Sequence, residues 1–295
     1  MIDTILIYGS QGWIGSQFKD YLLKNTKYKI IEGSKRLDNM EELEKEIGTV
    51  LPSHIIGFTG RTHGKIGDKV YSTIDYLEEE GKLVDNIRDN LQGPLNLSII
   101  SKKMGIHYTY LGTGCIFEYD SEHPYGQEIF GFTEESKPNF FGSSYSIVKG
   151  FTDKLLHNFE DSVLNLRIRM PITADNNPRN FISKITKYSK ICSIPNSMTV
   201  LPDFYPIILD LMEKDFKGTL NLTNPGLISH NEMLEMYKEI VNQNFTWENF
   251  SIEEQDNILA SKRSNNFLDT SKLEEMYPEV LGIKDSVRKI LLEYR

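Results

Sequence analysis

Apolar residues in the first third of the chain follow two rhythms. Short unbroken runs, TILIYG at 4–9, YKIIEG at 28–33 and HIIGF at 54–58, predict strands buried on both faces. WIGSQFKDYLLKN at 13–25 instead puts Trp13, Ile14, Phe18, Tyr21 and Leu22 on one side of a helix. A long helical stretch follows from about Tyr71 to Lys103, with a break expected near QGP at 92–94. Then come a strand at HYTYLGT, a helix over 144–159 and a strand at VLNLRIRM that stops at Pro171. Alternating strands and helices predict an α/β fold, a Rossmann-like doubly wound parallel sheet. Beyond Pro171 proline and asparagine become frequent and helices dominate. The expected division is a dinucleotide-binding domain over 1–170, joined by about 198–224, and a smaller, mostly helical substrate domain over 171–295.

Composition narrows the function. The chain has 295 residues, 39% hydrophobic and 25% charged, as expected of a globular protein. A net charge of −9 argues against a nucleic-acid partner, because phosphate backbones select basic faces. A small anionic ligand remains compatible, since it needs only a local positive site. Neither an apolar run of membrane-spanning length nor a leader pattern is expected, and no membrane partner. Cys115 and Cys192 are the two cysteines, which fits a reducing, cytoplasmic compartment. The six histidines show no ligand spacing, so no metal is expected.

IYGSQGWIG places Gly9, Gly12 and Gly15 between the first strand and the first helix. Glycine frees the turn, and the helix N-terminus can then meet a pyrophosphate. Gly9, Gln11, Gly12, Trp13, Ile14 and Gly15 are the expected cofactor contacts there. At the end of the second strand, an acid selects NAD and a basic group accommodates the phosphate of NADP. Glu32 offers the first, and Ser34 and Arg36 in GSKRL offer the second; the expectation is NADPH, with NADH the alternative. Gly60 and Arg61, after the third strand, are expected over the cofactor. Asn90 is expected near it, or else in a buried helix–loop hydrogen bond.

The candidate chemistry lies further on. Thr113 ends a strand, where doubly wound sheets bind ligands. Tyr145 and Lys149 in GSSYSIVKGF are one helical turn apart. That spacing alone arises readily by chance; its order after the glycine turn and Thr113 makes it chemical. A nearby ammonium lowers the pKa of a tyrosine, which ordinarily lies near 10. Tyr145 can then give a proton to a carbonyl oxygen that Thr113 also holds.

GxxGxxG, a strand-end threonine and YxxxK resemble the extended short-chain dehydrogenase/reductases. TGCIFEYD, NFFGSSYSIVKG, LRIRMPI, NPRNFISKIT, IPNSMTVL and TNPGLISHNEMLEMY resemble one branch more closely. These strings are similar to the bifunctional UDP-4-keto-6-deoxy-D-glucose 3,5-epimerase/4-reductases, the nucleotide-rhamnose synthases of plants and large DNA viruses, which are dTDP-4-dehydrorhamnose reductase-like. The resemblance runs from about Ile5 to the last helix. It is weak over 62–83, where HGKIGDKVYSTIDYLEEEG looks local to this protein.

The resemblance implies conversion of UDP-4-keto-6-deoxy-D-glucose to UDP-L-rhamnose in two stages. It implies epimerisation at C3 and C5, then NADPH-dependent reduction of the C4 ketone. It implies that Cys115 and Lys184 exchange protons at the two carbons. It further implies that Asn139, Arg179, Asn180 and Arg263, with Cys115, bind sugar or diphosphate oxygens. A homodimer and a separate UDP-glucose 4,6-dehydratase upstream are expected. The competing readings are a 4-reductase without epimerase activity and a non-catalytic, cofactor-binding regulatory subunit.

Overall fold

The computed structural model describes residues 3–294. The chain opens as β1 (Thr4–Tyr8), α1 (Trp13–Asn25), β2 (Lys29–Glu32), α2 (Met40–Val50) and β3 (His54–Gly57). A hairpin of β4 (Gly64–Ile66) and β5 (Lys69–Tyr71) follows, then a 3₁₀ turn at Ile74–Glu78. Next are α3 (Lys82–Ile87), a π-helical turn at Arg88–Gln92, α4 (Gly93–Met104), β6 (His107–Thr113), α5 (Ser144–Leu156) and β7 (Val163–Ile168). The chain continues through β8 (Pro171–Ile172), α6 (Phe181–Ile185), β9 (Lys190–Ile191), β10 (Thr199–Val200), α7 (Leu201–Glu213), β11 (Gly218–Asn221) and α8 (His230–Ile240). It closes with β12 (Glu248–Asn249), α9 (Ile252–Ile258), α10 (Ser271–Met276) and α11 (Ile283–Glu293).

The main sheet has six strands in the order β11-β7-β6-β3-β1-β2, and β2, β1, β3 and β6 pair in parallel. The expected α/β, Rossmann-like doubly wound sheet is what forms. Its strand order reverses direction between β1 and β3, where such sheets open a crevice at the strand C-termini.

The chain forms two compact units. One takes the chain through Thr113, with Ser144–Leu166 and Tyr205–Leu220. The other takes Gly114–Ser143, Arg167–Phe204 and the chain from Asn221 onward. In the first unit, Leu6 and Ile55 of the sheet pack with Leu43 and Ile47 of α2 and Leu97 and Ile100 of α4. In the second, Ile182 and Ile185 of α6 pack with Met233 and Leu234 of α8 and Ile290 and Leu291 of α11. Full burial of such a side chain contributes about 1.5–3 kcal/mol. Ser229 and Glu232 close a reciprocal capping box at the start of α8, which fixes where that helix begins.

One local expectation is corrected. The stretch from Tyr71 to Lys103 is not one helix broken at QGP. Its breaks lie earlier, in the hairpin and at Gly81, whose φ of +76° is left-handed. At 92–94 the helix continues through the π turn into α4, and the Asn90 carbonyl, four residues before Pro94, takes the Thr152 hydroxyl at 2.7 Å where Pro94 has no N–H to give.

Candidate functional site

The turn after β1 is packed backbone against backbone. Gly9 has a φ of +78°, and a Cβ there would lie 2.9 Å from the Phe58 carbonyl carbon in the loop after β3. A Cβ on Gly15 would lie 2.2 Å from the Gly9 oxygen. Gly12 is the N-cap of α1, and no side chain caps that helix. The N–H groups of its first turn are therefore offered to a ligand, with the helix dipole favouring an anion. Trp13 and Ile14, half-buried, begin α1 beside them. This cradle fits the pyrophosphate of a dinucleotide.

The loop after β2 carries both signs of charge. Glu32 accepts from Ser10 and Gln11, each at 2.5 Å, and from Lys19 at 3.1 Å, and the Ser10, Lys19 and Gln11 bonds hold its carboxyl below the usual range. Ser34 gives its N–H and its hydroxyl to Glu46, at 2.8 and 2.6 Å, and Glu46 also takes the Tyr8 hydroxyl at 2.7 Å. Arg36 pairs with Asp38 at 2.9 Å and reaches Asp89 at 3.4 Å. Arg61 holds the same Asp89 at 2.5 Å. Asn90 bonds both the N–H and the carbonyl of Arg61, each at 2.9 Å, and a Cβ on Gly60 would lie 3.0 Å from its Oδ1. Its amide is thus committed to shaping the loop after β3.

The first unit also carries the hydroxyl–lysine set. Thr113 is buried at the end of β6. Tyr145 and Lys149 lie one turn apart at the start of α5. That helix start is tied down from two sides. The Ser144 N–H donates to Glu78 Oε1 at 2.7 Å, and Asn86 Nδ2 donates to the Ser144 hydroxyl at 3.0 Å. The ammonium of Lys149 donates to the hydroxyl of Tyr110 on β6, a residue that sequence reasoning missed.

The second unit carries the thiol–amine set. Lys184, on α6, is pushed below its usual pKa by burial, then by the charges of Arg179 and Arg263, while Cys115 opposes them. These four residues are brought within electrostatic reach of one another. The Cys115 segment is clamped by the Asn266 amide, which donates to the carbonyls of Gly114 and Phe117, each at 2.9 Å. Ser264 adds a 2.6 Å bond to the Phe117 carbonyl. Buried Arg169 in turn grips the carbonyls of Ser264 and Asn266 at 2.9 Å. Arg263 therefore begins a segment fastened to the one that bears Cys115. The loose RxxN spacing at 263–266 is the only trace of this clamp in the sequence.

Two other candidates are occupied locally. Asn180 is fully buried, caps α6 by accepting from Ile182 N–H, and donates to the carbonyls of Thr173 and Asp175. Asn139 bonds the N–H and carbonyl of Glu118 and the carboxylate of Asp120. Both amides brace loops of the second unit. Among the described residues there is no cluster of side chains suited to a metal and no helix long and apolar enough to cross a membrane.

Similarity to known proteins follows this geometry. The protein L780 of Acanthamoeba polyphaga mimivirus is 51% identical over 97% of this chain and 96% of its own. Its crystal structure, described as a UDP-rhamnose synthase, superposes with a TM-score of 0.93 and covers 99% of this chain and 100% of that one. A bifunctional dTDP-4-dehydrorhamnose 3,5-epimerase/dTDP-4-dehydrorhamnose reductase of Arabidopsis thaliana is 43% identical over 98% of this chain and 93% of its own. A dTDP-4-dehydrorhamnose reductase of Bacillus anthracis, solved in complex with NADP, shares the fold, with a TM-score of 0.79 at 17% identity over 99% of each chain. Residues 5–185 match the NAD dependent epimerase/dehydratase family, and the chain belongs to it.

Proposed function

We propose that the chain converts UDP-4-keto-6-deoxy-D-glucose to UDP-L-rhamnose by 3,5-epimerisation followed by NADPH-dependent 4-keto reduction. The observation that carries the reading is the pairing of two sets in one chain. A hydroxyl–lysine set suits ketone reduction, and a thiol near a half-buried, cation-flanked amine suits proton exchange. The name of the plant relative unites these two activities, and the structure of the viral relative is described as a UDP-rhamnose synthase.

The C4 ketone makes the protons at C3 and C5 acidic, because the resulting enolate spreads its charge onto oxygen. Thr113 and Tyr145 donate to that oxygen and stabilise it. Lys184, disposed to lose its proton, serves as base; Cys115 supplies or takes a proton as its partner. Arg179 and Arg263 bind diphosphate oxygens, for which guanidinium geometry is suited. Epimerisation precedes reduction, because reduction removes the acidifying carbonyl. The bound dinucleotide supplies hydride to C4. Tyr145 then delivers a proton to the C4 oxygen, while Lys149 keeps positive charge beside the phenol. Gly9, Gly12 and Gly15 receive the pyrophosphate, and Arg36 receives the 2′-phosphate. Glu32, held ready as an acceptor, favours NADH as the second donor.

The test is incubation with the 4-keto sugar in D₂O, with and without NADPH, followed by NMR of the sugar. Deuterium at C3 and C5, with the L-rhamnosyl product appearing only with NADPH, is expected. NADPH consumption without deuterium reduces the reading to a 4-reductase. No turnover of the sugar overturns it in favour of a regulatory subunit. Initial rates with NADH and NADPH decide between the donors.

A further inference from the structure

We propose that Tyr110 is a positioning residue for the reduction, its hydroxyl fixing the Lys149 ammonium and holding it in the charged form. The inference rests on the reading above, in which Lys149 serves Tyr145.

The geometry comes from β6 and α5. Lys149 is 5% exposed and Tyr110 is 2% exposed, so the ammonium is taken out of water next to a buried phenol. A buried cation is costly unless hydrogen bonds replace its hydration. The Tyr110 hydroxyl accepts from Lys149 Nζ, which lies at the hydroxyl end of the ring, 4.6 Å from its centroid. An acceptor that stays neutral offsets burial without cancelling the charge. Tyr110 meets that requirement: burial first, then Tyr108, Tyr145 and Asp153, push its ionisation well above the ordinary value.

The ionisable groups that raise the Tyr110 pKa are Tyr108 on β6 and Tyr145 and Asp153 on α5. Asp153 takes a 2.8 Å bond from Asn165 of β7 and lies 3.8 Å from His157 Nε2. β6 is an interior strand, and Tyr110 pairs in register with Gly57 of β3, so the phenol is anchored in the sheet. Tyr108, two residues earlier, points to the same face; its ring centroid is 6.4 Å away, and its buried hydroxyl has no hydrogen-bond partner. It provides a control that removes the same atom from the same layer without touching Lys149.

The experiment compares Tyr110→Phe, Tyr108→Phe and the parent chain. Lys149 is titrated in the cofactor-free protein by NMR of ¹³C-labelled lysine, its signal identified with Lys149→Arg. The pH profile of 4-keto reduction is measured alongside. Loss of a hydrogen bond to the charged form lowers a lysine pKa. Tyr110→Phe is therefore expected to move the Lys149 titration, and the basic limb of the profile, to lower pH. It should lower kcat by roughly 10- to 100-fold, the size of one bond to a charged group, with KM little changed. Tyr108→Phe is expected to leave both in place. An unmoved Lys149 titration in Tyr110→Phe, or an equal shift in both variants, overturns the proposal. If the parent chain reduces no 4-keto sugar, the functional reading fails, and the lysine titration still decides what Tyr110 does.

Discussion

Lys149 is buried and Lys184 half-buried, and their surroundings differ: a neutral phenol accepts from the first, and two guanidinium groups press on the second. In the first unit, Lys149 gives its ammonium to a neutral phenol. That bond favours the charged form against the cost of burial. In the second unit, Lys184 is opposed by burial and by two guanidinium groups, with only the thiol pulling the other way among the groups that shift it. On the proposed reading, one environment keeps a cation for orientation and the other makes it easier for an amine to give up its proton. Environment, rather than residue type, divides acid, base and charge roles among like side chains.

The largest expected effect tests the first unit. Tyr145→Phe removes the proton donor and leaves the ring, so reduction should fall by about 10²- to 10⁴-fold, measured as NADPH consumption on the 4-keto sugar. Deuterium incorporation should slow as well, because the enolate oxygen loses a donor. Reduction at the parental rate would end the assignment of Tyr145 as acid.

Lys184→Met tests the second unit. Washout of deuterium at C3 or C5 should fall by about 10²-fold or more, while reduction of a supplied 4-keto-L-rhamnosyl nucleotide continues. Loss of both activities together would show that the two lysines do not have separable jobs.

Acid reaches both units through buried histidines, and burial pushes His230 of the second unit down to about 4 as well. In the first, burial pushes His54 down to about 4, helped by His107 across a ring separation of 5.1 Å, and His107 is itself lowered by burial. Their Nε2 atoms bond the carbonyls of Met212 and Phe216. A depressed folded pKa means that the unfolded chain binds more protons between 6.5 and 4. Stability from His54 is therefore complete above pH 6.5 and drains as pH falls toward 4, by about 2 kcal/mol at pH 5. Thermal melts at pH 7 and pH 5 should show this loss, and His54→Asn should flatten the slope. An unchanged slope would mean that His54 is protonated in the folded chain.

The fold was more legible in the sequence than these pairings. β1, β2 and β3 appear as unbroken apolar runs because their strands are covered on both faces. The β4–β5 hairpin escaped that logic: Lys69 and Val70 are exposed, so no alternation marks it, and only the Gly67-Asp68 turn hinted at it. The π turn at Arg88–Gln92 changes a hydrogen-bond period without changing composition. Thr113, Tyr145 and Lys149 could be ordered along the chain, because strand-end and one-turn placements are local geometry. The grip of Asn266 on Gly114 and Phe117 spans about half the chain, and Tyr110 meets Lys149 across two elements. Contacts of that range leave no spacing to read.

The smallest effect asks whether cations really set Lys184. Arg263→Gln removes one of the two guanidinium charges that disfavour its ammonium. The pKa of Lys184 should then rise, because a like charge no longer penalises protonation. The reactive form is the neutral amine, so the acidic limb of the exchange rate should move to higher pH. At saturating substrate and neutral pH the rate loss should stay below about tenfold, since burial and Arg179 remain. Reading kcat rather than kcat/KM separates this from weakened diphosphate binding, which raises KM in the same variant. Arg263→Lys keeps the charge and loses the planar fork, so it should keep the limb and still raise KM. A limb that stays put in Arg263→Gln would leave burial and Arg179 as the causes. A basic limb that moves up in its place would make Lys184 a cation in its working state, like Lys149, and remove the contrast between the units.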